Sequence, residues 1–340
     1  MKKILIIGAG LTGCVLANLF KNNGDSVDIL EKESEIGGLC KDYYDKNAKC
    51  YVNKNGPHIW HDKKGKATAF LKKFSDLNKY KHKVLCASDK SITYWPASDK
   101  SLKLYKLLND DNLFIENFII SYSEKQWKGD YEEVLGNIKN RFEFKRINNN
   151  NFFDKEVQGI PTKGYTNLFK NMVKGCKISY NNSTNIKNVN LNNYDYVFCS
   201  APIDVFFNNI FGKLAYITLD FKLLTIKSND NILPTAVVNL PNHKNITRVT
   251  EYNLFYYNNN KNRIIGIETP RKANDKDLKI YFIPIKKNIE LHKKYLKYSA
   301  SKFKNLYFVG RFGQGKYLNM DVAVYESLNL FNKLKKEKKI

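Results

Sequence analysis

Three observations in the sequence predict its fold class, which is α/β. Near the start, the apolar run Lys3–Ile7 is followed by a glycine-rich turn, a helical stretch and a second strand at Ser26–Leu30. Two later runs, Tyr194–Cys199 and Asn305–Val309, have the continuous apolar character of strands buried on both faces of a parallel sheet. Segments at about 214–285 instead alternate apolar and polar residues with many β-branched side chains, which indicates an antiparallel sheet.

The first turn reads Gly8-Ala9-Gly10-Leu11-Thr12-Gly13, which is the spacing G-x-G-x-x-G. Gly8 permits the tight turn, Gly10 lets backbone N–H groups approach a pyrophosphate, and Gly13 allows close packing of helix on strand. The N-terminus of the helix stabilises the phosphates. Glu31 ends the second strand, where an acid accepts hydrogen bonds from the adenosine ribose. Together these features predict a Rossmann-like dinucleotide-binding unit.

The glycine fingerprint fits NAD and FAD equally well. Ile36-Gly37-Gly38 follows shortly after the acid, and a second glycine pair there is typical of flavoproteins, although an ordinary glycine turn is the alternative reading. We therefore predict FAD as the cofactor. The predicted cofactor-binding residues of this part of the chain are Gly8, Gly10, Leu11, Thr12, Gly13, Glu31, Lys32, Gly37, Gly38 and Leu39.

The order of these segments predicts three domains. A discontinuous Rossmann-like FAD-binding domain is expected to combine residues 1–61, 174–212 and 300–340, because its strands come from both ends and the middle of the chain. Residues 62–138 are expected to form a small, mainly helical domain with a short hairpin near Val84–Trp95. Residues 139–173 and 213–299 are expected to form an antiparallel β-sheet domain that binds the substrate.

The chain of 340 residues carries a formal net charge of +24. Nearly all the positive charge is lysine spread along the chain, so we interpret it as a solvated surface and expect no specific nucleic-acid partner. Attraction of an anionic nucleotide substrate is the consequence we favour.

Neither a metal site nor a membrane-spanning segment is predicted from the cysteines and the apolar runs. The six cysteines show no metal-binding spacing, so we predict no metal site. No apolar run reaches the roughly 18 residues that span a bilayer, so we expect no membrane insertion. The apolar stretch at the start is too short for a signal peptide, so we expect a cytoplasmic protein.

Further blocks resemble the UDP-galactopyranose mutase family. They follow the family's order and cover nearly the whole chain. The blocks are Gly56–His61 (GPHIWH), Tyr122–Trp127 (YSEKQW), Arg141-Phe142, Gln158–Pro161 with Gly164–Thr166, Thr247-Arg248 with Glu251, and Phe308–Asp321 (FVGRFGQGKYLNMD).

The resemblance implies a flavin-dependent isomerase that interconverts UDP-galactopyranose and UDP-galactofuranose for galactofuranose and cell-wall glycan biosynthesis. In the family, N5 of reduced FAD bonds to the anomeric carbon as UDP departs, and the sugar ring opens and recloses as a furanose. No net redox change occurs, but a reductant such as NAD(P)H must supply the reduced flavin.

The resemblance also implies roles for individual residues. Arg141 and Arg248 would grip the diphosphate, which suits the planar fork of arginine. Arg146, Arg263 and Arg271 receive no predicted role. The other implied residues are His58 and His61 beside the flavin; Tyr165 and Tyr317 at the phosphates; Tyr122 and Trp127 around uridine; Asn239 and Asn319 near the substrate; and His58, Gly310, Arg311, Asn319, Met320 and Asp321 at the cofactor.

Two departures from the family pattern bear on the function. Asn319 stands where the family has an aspartate. Phe282-Ile283 replaces a pair of tyrosines ahead of a proline, and Tyr281 could compensate. The region between His61 and Tyr122 is also shorter than in the family. We therefore expect a reduced helical domain, together with any homodimer contact that this domain makes.

Three other functions stay open on the sequence alone. One is a mutase for a related UDP-sugar such as UDP-N-acetylgalactosamine. Another is an FAD-dependent oxidoreductase of the amine-oxidase type. The third is a flavoprotein that binds UDP without turnover.

Overall fold

A computed structural model describes residues 1–89, 92–95, 119–129, 132–134, 151–153, 157–182 and 186–337. The strands are β1 Lys3–Ile7, β2 Ser26–Leu30, β3 Asp42–Asp45, β4 Cys50–Asn53, β5 Trp60–Asp62, β6 Val84–Ala87, β7 Ile92–Trp95, β8 Val157–Gly159, β9 Lys177–Ser179, β10 Tyr196–Cys199, β11 Tyr216–Lys227, β12 Val237–Asn239, β13 Arg248–Glu251, β14 Asn262–Lys272, β15 Tyr281–Phe282 and β16 Leu306–Phe308. The α-helices are α1 Leu11–Asn22, α2 Lys66–Leu71, α3 Ser121–Trp127, α4 Tyr165–Met172, α5 Ile203–Phe206, α6 Lys286–Lys302, α7 Gly310–Gly313 and α8 Met320–Lys336.

Within the described ranges, a five-stranded parallel sheet has the order β16-β10-β1-β2-β9. Its central strand β1 is apolar on both faces because Ile4 and Ile6 pack against the cluster of α1 and α8, while Leu5 and Ile7 pack against that of α5 and α6. The strands come from the beginning, the middle and the end of the chain. The α/β class and the Rossmann-like unit predicted from the sequence are confirmed.

A second sheet, with seven strands in the part of the chain described, has the order β15-β11-β14-β13-β12-β6-β7. All of its pairs are antiparallel except that of β12 with β6. The β6–β7 hairpin, which we expected as an interruption of the helical domain, therefore extends the antiparallel sheet. Residues 90–91, 96–118, 130–131 and 135–138 of the predicted helical domain lie outside the described residues. The helices described in this domain are α2 and α3.

Helix α4 lies against the parallel-sheet unit rather than the antiparallel sheet, with which residues 139–173 were grouped. The Asn18 side chain of α1 donates a 2.8 Å hydrogen bond to the Met172 carbonyl at the end of α4. At its beginning, the Asp42 carboxylate accepts hydrogen bonds from the backbone of Tyr165 and Thr166, at 2.6 and 2.9 Å. A side chain distant in sequence thus satisfies the free N–H groups of this helix.

None of the described helices is long and apolar enough to cross a bilayer. Among the same residues, no group of three or more His, Cys, Asp or Glu is placed to hold a metal ion.

Candidate active site

The glycine turn after β1 is packed so closely that side chains are excluded. Gly8 has a φ of +97°, and a Cβ there would lie 2.4 Å from the Ser200 hydroxyl. A Cβ on Gly13 would lie 2.0 Å from the carbonyl oxygen of Gly8. Both contacts are far shorter than van der Waals distance, so these glycines bring β1 and α1 together.

The second glycine pair packs on the first turn. The Gly37 N–H donates to the Ala9 carbonyl at 3.0 Å. Gly38 has a φ of +55°, and a Cβ there would lie 3.0 Å from the Cα of Gly10. The two glycine segments therefore form one surface, and Leu39 lies beside it.

Glu31 connects the turn to the end of β2. Its carboxylate is buried and accepts a 2.6 Å hydrogen bond from the Ala9 N–H and a 2.9 Å bond from the Glu33 N–H. The carboxylate also lines a cleft at the carboxyl end of the parallel sheet. This is where the ribose-binding acid of a Rossmann unit lies.

That cleft, which we call the dinucleotide cleft, has a volume of about 280 Å³. The N-terminus of α1 faces it, as pyrophosphate binding requires. Predicted residues that line it are Gly8, Gly10, Leu11, Thr12, Glu31, Lys32, Gly38, Leu39, His58, Gly310, Arg311 and Met320.

Some predicted cofactor residues lie elsewhere. Gly13 and Gly37 contact the backbone of the glycine turn without lining the cleft. Asn319 lines a neighbouring cavity, and Asp321 is buried in the first turn of α8. The other lining residues, which were not among the predicted cofactor residues, are Cys40, Ser200–Pro202, Val205, Asp275–Lys279, Phe312, Leu318 and Ala323.

A second cavity of about 400 Å³, the substrate cavity, adjoins the dinucleotide cleft. Leu39, His58, Arg311 and Met320 line both spaces, so a ligand in one can contact a ligand in the other. The predicted residues that line the substrate cavity are His58, His61, Tyr122, Trp127, Asn239, Arg248, Tyr317 and Asn319. Arg141 lies outside the described residues.

Arg248 lies in the wall of the substrate cavity between three polar side chains. Its guanidinium is 3.4 Å from both the Asn239 amide oxygen and the Tyr122 hydroxyl, and 3.6 Å from the Glu268 carboxylate. Burial raises the pKa of Glu268, while Arg248 lowers it. These contacts are longer than ordinary hydrogen bonds, so the guanidinium is positioned without using its full capacity for donation.

A stack of rings and a cation forms a second part of the wall. The Tyr281 and Tyr317 rings lie 6.1 Å apart and nearly parallel, and the Arg311 guanidinium is 4.5 Å from the centre of Tyr317. Phe282 and Ile283, which stand at the positions of the family's tyrosine pair, are buried in the protein core. Tyr281 is therefore the residue of this segment that faces the cavity.

The two predicted histidines differ in environment. The His58 Nδ1 is 3.0 Å from the Gly56 carbonyl, so Nδ1 carries the proton and Nε2 is the acceptor in the neutral ring. Burial, with the charge of Arg311, lowers the pKa of His58 to about 4. The His61 ring stacks on Phe153 at 3.9 Å.

Three aromatic side chains in the cavity wall were not anticipated. Phe152 and Phe153 line the cavity beside His61, and no motif indicated them. His82 lines it too, and its Nδ1 is 3.0 Å from the Tyr80 hydroxyl. Burial lowers the pKa of His82 to about 3, so its ring is neutral at physiological pH.

Tyr165 is not brought to the cavity. Only 1% of it is exposed, it begins α4, and its ring lies 6.4 Å from that of His58. Its hydroxyl is outside the lining of both spaces. The structure thus gives no support to its expected role as a phosphate donor.

A glycine-rich Rossmann unit that opens into a second, arginine-bearing cavity defines a nucleotide-dependent enzyme of the doubly wound α/β class. Residues 6–74 match the model of the NAD(P)-binding Rossmann-like domain, and residues 117–317 match that of UDP-galactopyranose mutase. The chain belongs to the UDP-galactopyranose mutase family and is an isomerase.

Similar proteins agree over nearly the full length. A UDP-galactopyranose mutase of Mycoplasma genitalium is 31% identical, covering 96% of this chain and 93% of the relative. A dTDP-fucopyranose mutase of Escherichia coli is 26% identical, with 96% and 97% covered. A crystal structure of reduced UDP-galactopyranose mutase shares the fold with a TM-score of 0.74 at 14% identity, covering 99% of this chain and 96% of that one.

Proposed function

We propose that the protein uses reduced FAD to interconvert UDP-galactopyranose and UDP-galactofuranose. The observation that carries this proposal is the shared wall between the two spaces. Arg248 lines the substrate cavity, and His58 and Arg311 lie where that cavity meets the dinucleotide cleft. A diphosphate bound at Arg248 would therefore hold its sugar next to a cofactor ring placed at the shared wall.

The dinucleotide cleft fits FAD. The side-chain-free surface of Gly8, Gly10 and Gly38 leaves room for a pyrophosphate, and Glu31 would accept hydrogen bonds from the adenosine ribose. When bound in its reduced form beside the shared wall, FAD would supply a nucleophilic N5 for the anomeric carbon. A reductant such as NAD(P)H would load the electrons once, since isomerisation consumes none.

The protein's own residues would bind the substrate and favour departure of UDP. Arg248 is positioned by Tyr122 and Asn239 to donate to the diphosphate, together with Arg141 as the family motif implies. Arg248 would stabilise the negative charge that develops as the anomeric bond breaks. Tyr281 and Tyr317 would donate hydroxyl hydrogen bonds to the same phosphates.

Tyr122 and Trp127 would surround the uracil ring. Trp127 is 6% exposed and lines the cavity, and its ring lies 6.1 Å from that of Tyr281. An aromatic wall of this kind suits stacking on a flat base. Asn239 and Asn319 would lie near the sugar side of the substrate.

His58 would act beside the flavin as a neutral hydrogen-bonding group rather than as a cation. Its Nδ1 proton is held by the Gly56 carbonyl, and its lowered pKa keeps it uncharged near neutral pH. Nε2 is then an acceptor on a residue that lines both spaces. Arg311, which also lines that wall, is the permanent cation there.

The proposal is tested by incubating the purified protein with UDP-galactofuranose, with and without dithionite, and measuring UDP-galactopyranose by chromatography. We expect conversion in the reduced sample alone. Failure with every UDP-hexose and with UDP-N-acetylgalactosamine, despite bound FAD, would contradict the proposal and favour a binding protein without turnover. A dTDP-sugar belongs in the same series, since a relative is named a dTDP-fucopyranose mutase.

If the protein were an oxidoreductase of the amine-oxidase type, the same incubation would give a different result. Such an enzyme would consume oxygen or another acceptor in proportion to product. The paired features that favour the mutase are the Arg248 cluster and the aromatic wall, because an amine substrate uses neither a diphosphate grip nor a base-stacking surface.

A further inference from the structure

A loop of the antiparallel sheet lies over the dinucleotide cleft of the parallel sheet. It joins β14 to β15, and its residues Asp275–Lys279 line the cleft together with Glu31 and Lys32. We call residues 274–279 the strap. No family motif identified in the sequence falls in the strap. Its position gives the antiparallel sheet a direct contact surface for whatever occupies the cleft.

Arg271, which had no role in the sequence interpretation, anchors the strap. Its guanidinium donates two hydrogen bonds to the Asp277 carboxylate, at 2.5 and 2.8 Å, in the bidentate geometry of strong arginine–carboxylate pairs. The Asn274 N–H donates to the same carboxylate at 2.7 Å. These hydrogen bonds lower the pKa of Asp277 to about 2. Arg271 therefore holds the strap at Asp277, and the same carboxylate accepts from the first residue of the strap.

Arg271 also holds a second carboxylate that is not part of the strap. Its Nε donates to Asp220 on β11, at 2.9 and 3.1 Å from the two oxygens. Asp220 is the more exposed partner, since 57% of its side chain is accessible compared with 15% for Asp277. Asp220 and Asp277 are both carboxylates paired with Arg271, but only Asp277 belongs to the strap.

Lys279 places a cation at the cleft. Its ammonium is 3.4–3.5 Å from the backbone carbonyls of Asn274, Asp275 and Asp277. These distances are long for an ammonium, which can donate three strong hydrogen bonds. No carboxylate oxygen lies within 4.0 Å of it in the described part of the chain. Lys279 is thus partly desolvated, weakly coordinated and able to donate to a ligand.

The charges around this end of the cleft suit an anionic nucleotide. Burial lowers the pKa of Lys279, and the charge of Lys32, which follows the ribose-binding Glu31, lowers it further against the opposing effect of Asp204, Asp275 and Asp277. Two cations held near each other are stabilised by an anion between them. The N-terminus of α1 adds partial positive charge from the opposite wall.

We propose that the strap is a second cofactor-binding element, in which Lys279 binds the phosphate-bearing adenosine half of FAD and Arg271 positions the strap through Asp277. The proposal rests on the proposed use of FAD. It assigns Lys279 to cofactor affinity and Arg271 to positioning, and neither residue to the isomerisation step.

The test is titration of the apoprotein with FAD, followed by flavin fluorescence at low and high salt. Lys279→Gln is expected to raise the Kd roughly tenfold and to reduce its salt dependence, because a charge-assisted contact is removed. Lys302→Gln, the same change on the exposed end of α6, is the control and should leave the Kd within about twofold.

A matched pair tests the positioning role. Asp277→Asn is expected to raise the Kd several-fold, roughly fivefold, while Asp220→Asn changes it less than about twofold. Equal Kd values for Asp277→Asn and Asp220→Asn, or an unchanged Kd for Lys279→Gln, would overturn the proposal. If the unmodified protein fails to bind FAD at all, the proposed function fails with it, which is a distinguishable result.

A purely structural role for the strap predicts another pattern. In that case Asp277→Asn would lower the melting temperature of the apoprotein, while Lys279→Gln would leave FAD affinity and its salt dependence unchanged. We expect instead that Lys279→Gln leaves the melting temperature of the apoprotein unchanged and diminishes the increase that FAD produces.

Discussion

The Arg248 guanidinium lies against the buried carboxylate of Glu268, with Nη1 3.6 Å from Oε1. Both groups line the substrate cavity, so the cation there is neither fully neutralised nor free to rotate. Tyr122 and Asn239 hold its other nitrogens. A diphosphate that enters the cavity would meet a cation whose position is already fixed, which reduces the entropic cost of binding.

Arg248→Lys is therefore expected to lower UDP affinity by roughly tenfold or more, because an ammonium lacks the planar fork whose separate nitrogens reach Tyr122, Asn239 and a diphosphate. Calorimetric titration with UDP measures the effect directly. Arg263, which is buried at the Glu251 carboxylate, makes an unsuitable control, whereas exposed Lys244 can be changed to Gln without expected loss. Equal UDP affinity in Arg248→Lys would contradict the assignment.

Tyr281 is expected to replace the family's tyrosine pair. Tyr281 lines the cavity, while Phe282 packs in the core against Tyr216 and His292. Tyr281→Phe should raise KM by roughly tenfold or more, because one hydrogen bond to a charged group contributes about 1.5–3 kcal/mol. Phe282→Tyr should give no gain in activity and should lower stability, because it buries a hydroxyl. Steady-state kinetics and thermal unfolding distinguish the two outcomes.

Tyr317 and Tyr165 were both expected at the phosphates, and the structure separates them. Tyr317 lines the cavity below Arg311, whereas Tyr165 is buried outside it. Tyr317→Phe is expected to raise KM several-fold, and Tyr165→Phe to leave it within about twofold. A larger increase in KM from Tyr165→Phe than from Tyr317→Phe would contradict this assignment. It would show that Tyr165 at the start of α4 contacts the substrate during catalysis.

Two glycines of the first turn should respond differently to alanine. A Cβ on Gly10 would meet nothing closer than 3.8 Å, but one on Gly13 would lie 2.0 Å from the Gly8 carbonyl. Gly10→Ala is expected to fold and to bind FAD weakly, because the methyl group occupies the place of the pyrophosphate. Gly13→Ala is expected to destabilise the apoprotein by about 2 kcal/mol or more. Urea unfolding of both apoproteins provides the comparison.

Buried His82 and half-buried His58 make stability depend on pH. The folded-state pKa values of His58 and His82, about 4 and 3, lie below the unfolded value of about 6.5. The unfolded chain binds more protons in this window, so stability falls as pH drops from about 6.5 toward 4, by about 1.4 kcal/mol per pH unit for each ring.

His82→Asn should make the decline between pH 6.5 and 4.5 shallower. Lys302→Gln, at an exposed position, is the control and should not change it. The measurement is the free energy of unfolding of the apoprotein in urea across this range. An unchanged slope in His82→Asn would contradict the buried, neutral state of that ring.

The parts of the fold that could be predicted from sequence are those with a local pattern. Buried parallel strands are continuously apolar, so β1, β10 and β16 were evident, and the glycine fingerprint located the turn between β1 and α1. The pairing of β6 with β12 joins residues far apart in the chain and leaves no such pattern.

The site divides in the same way. Arg248, Tyr122 and Trp127 lie in ordered family motifs, and the structure brings them into one cavity. Tyr165 follows a glycine and begins a helix, which resembles a phosphate-binding position, but Asp42 already occupies the N–H groups of that helix. That contact joins residues far apart in the sequence, so no local pattern predicts it.

The most direct test of the proposed mutase is to reduce the FAD-loaded protein once, with one equivalent of dithionite under anaerobic conditions, and add excess UDP-galactofuranose. The mutase proposal predicts many molecules of UDP-galactopyranose per flavin, with the flavin still reduced at the end. Absence of UDP-galactopyranose, together with reoxidised flavin and one molecule of a reduced sugar product per flavin, would contradict it and indicate an oxidoreductase.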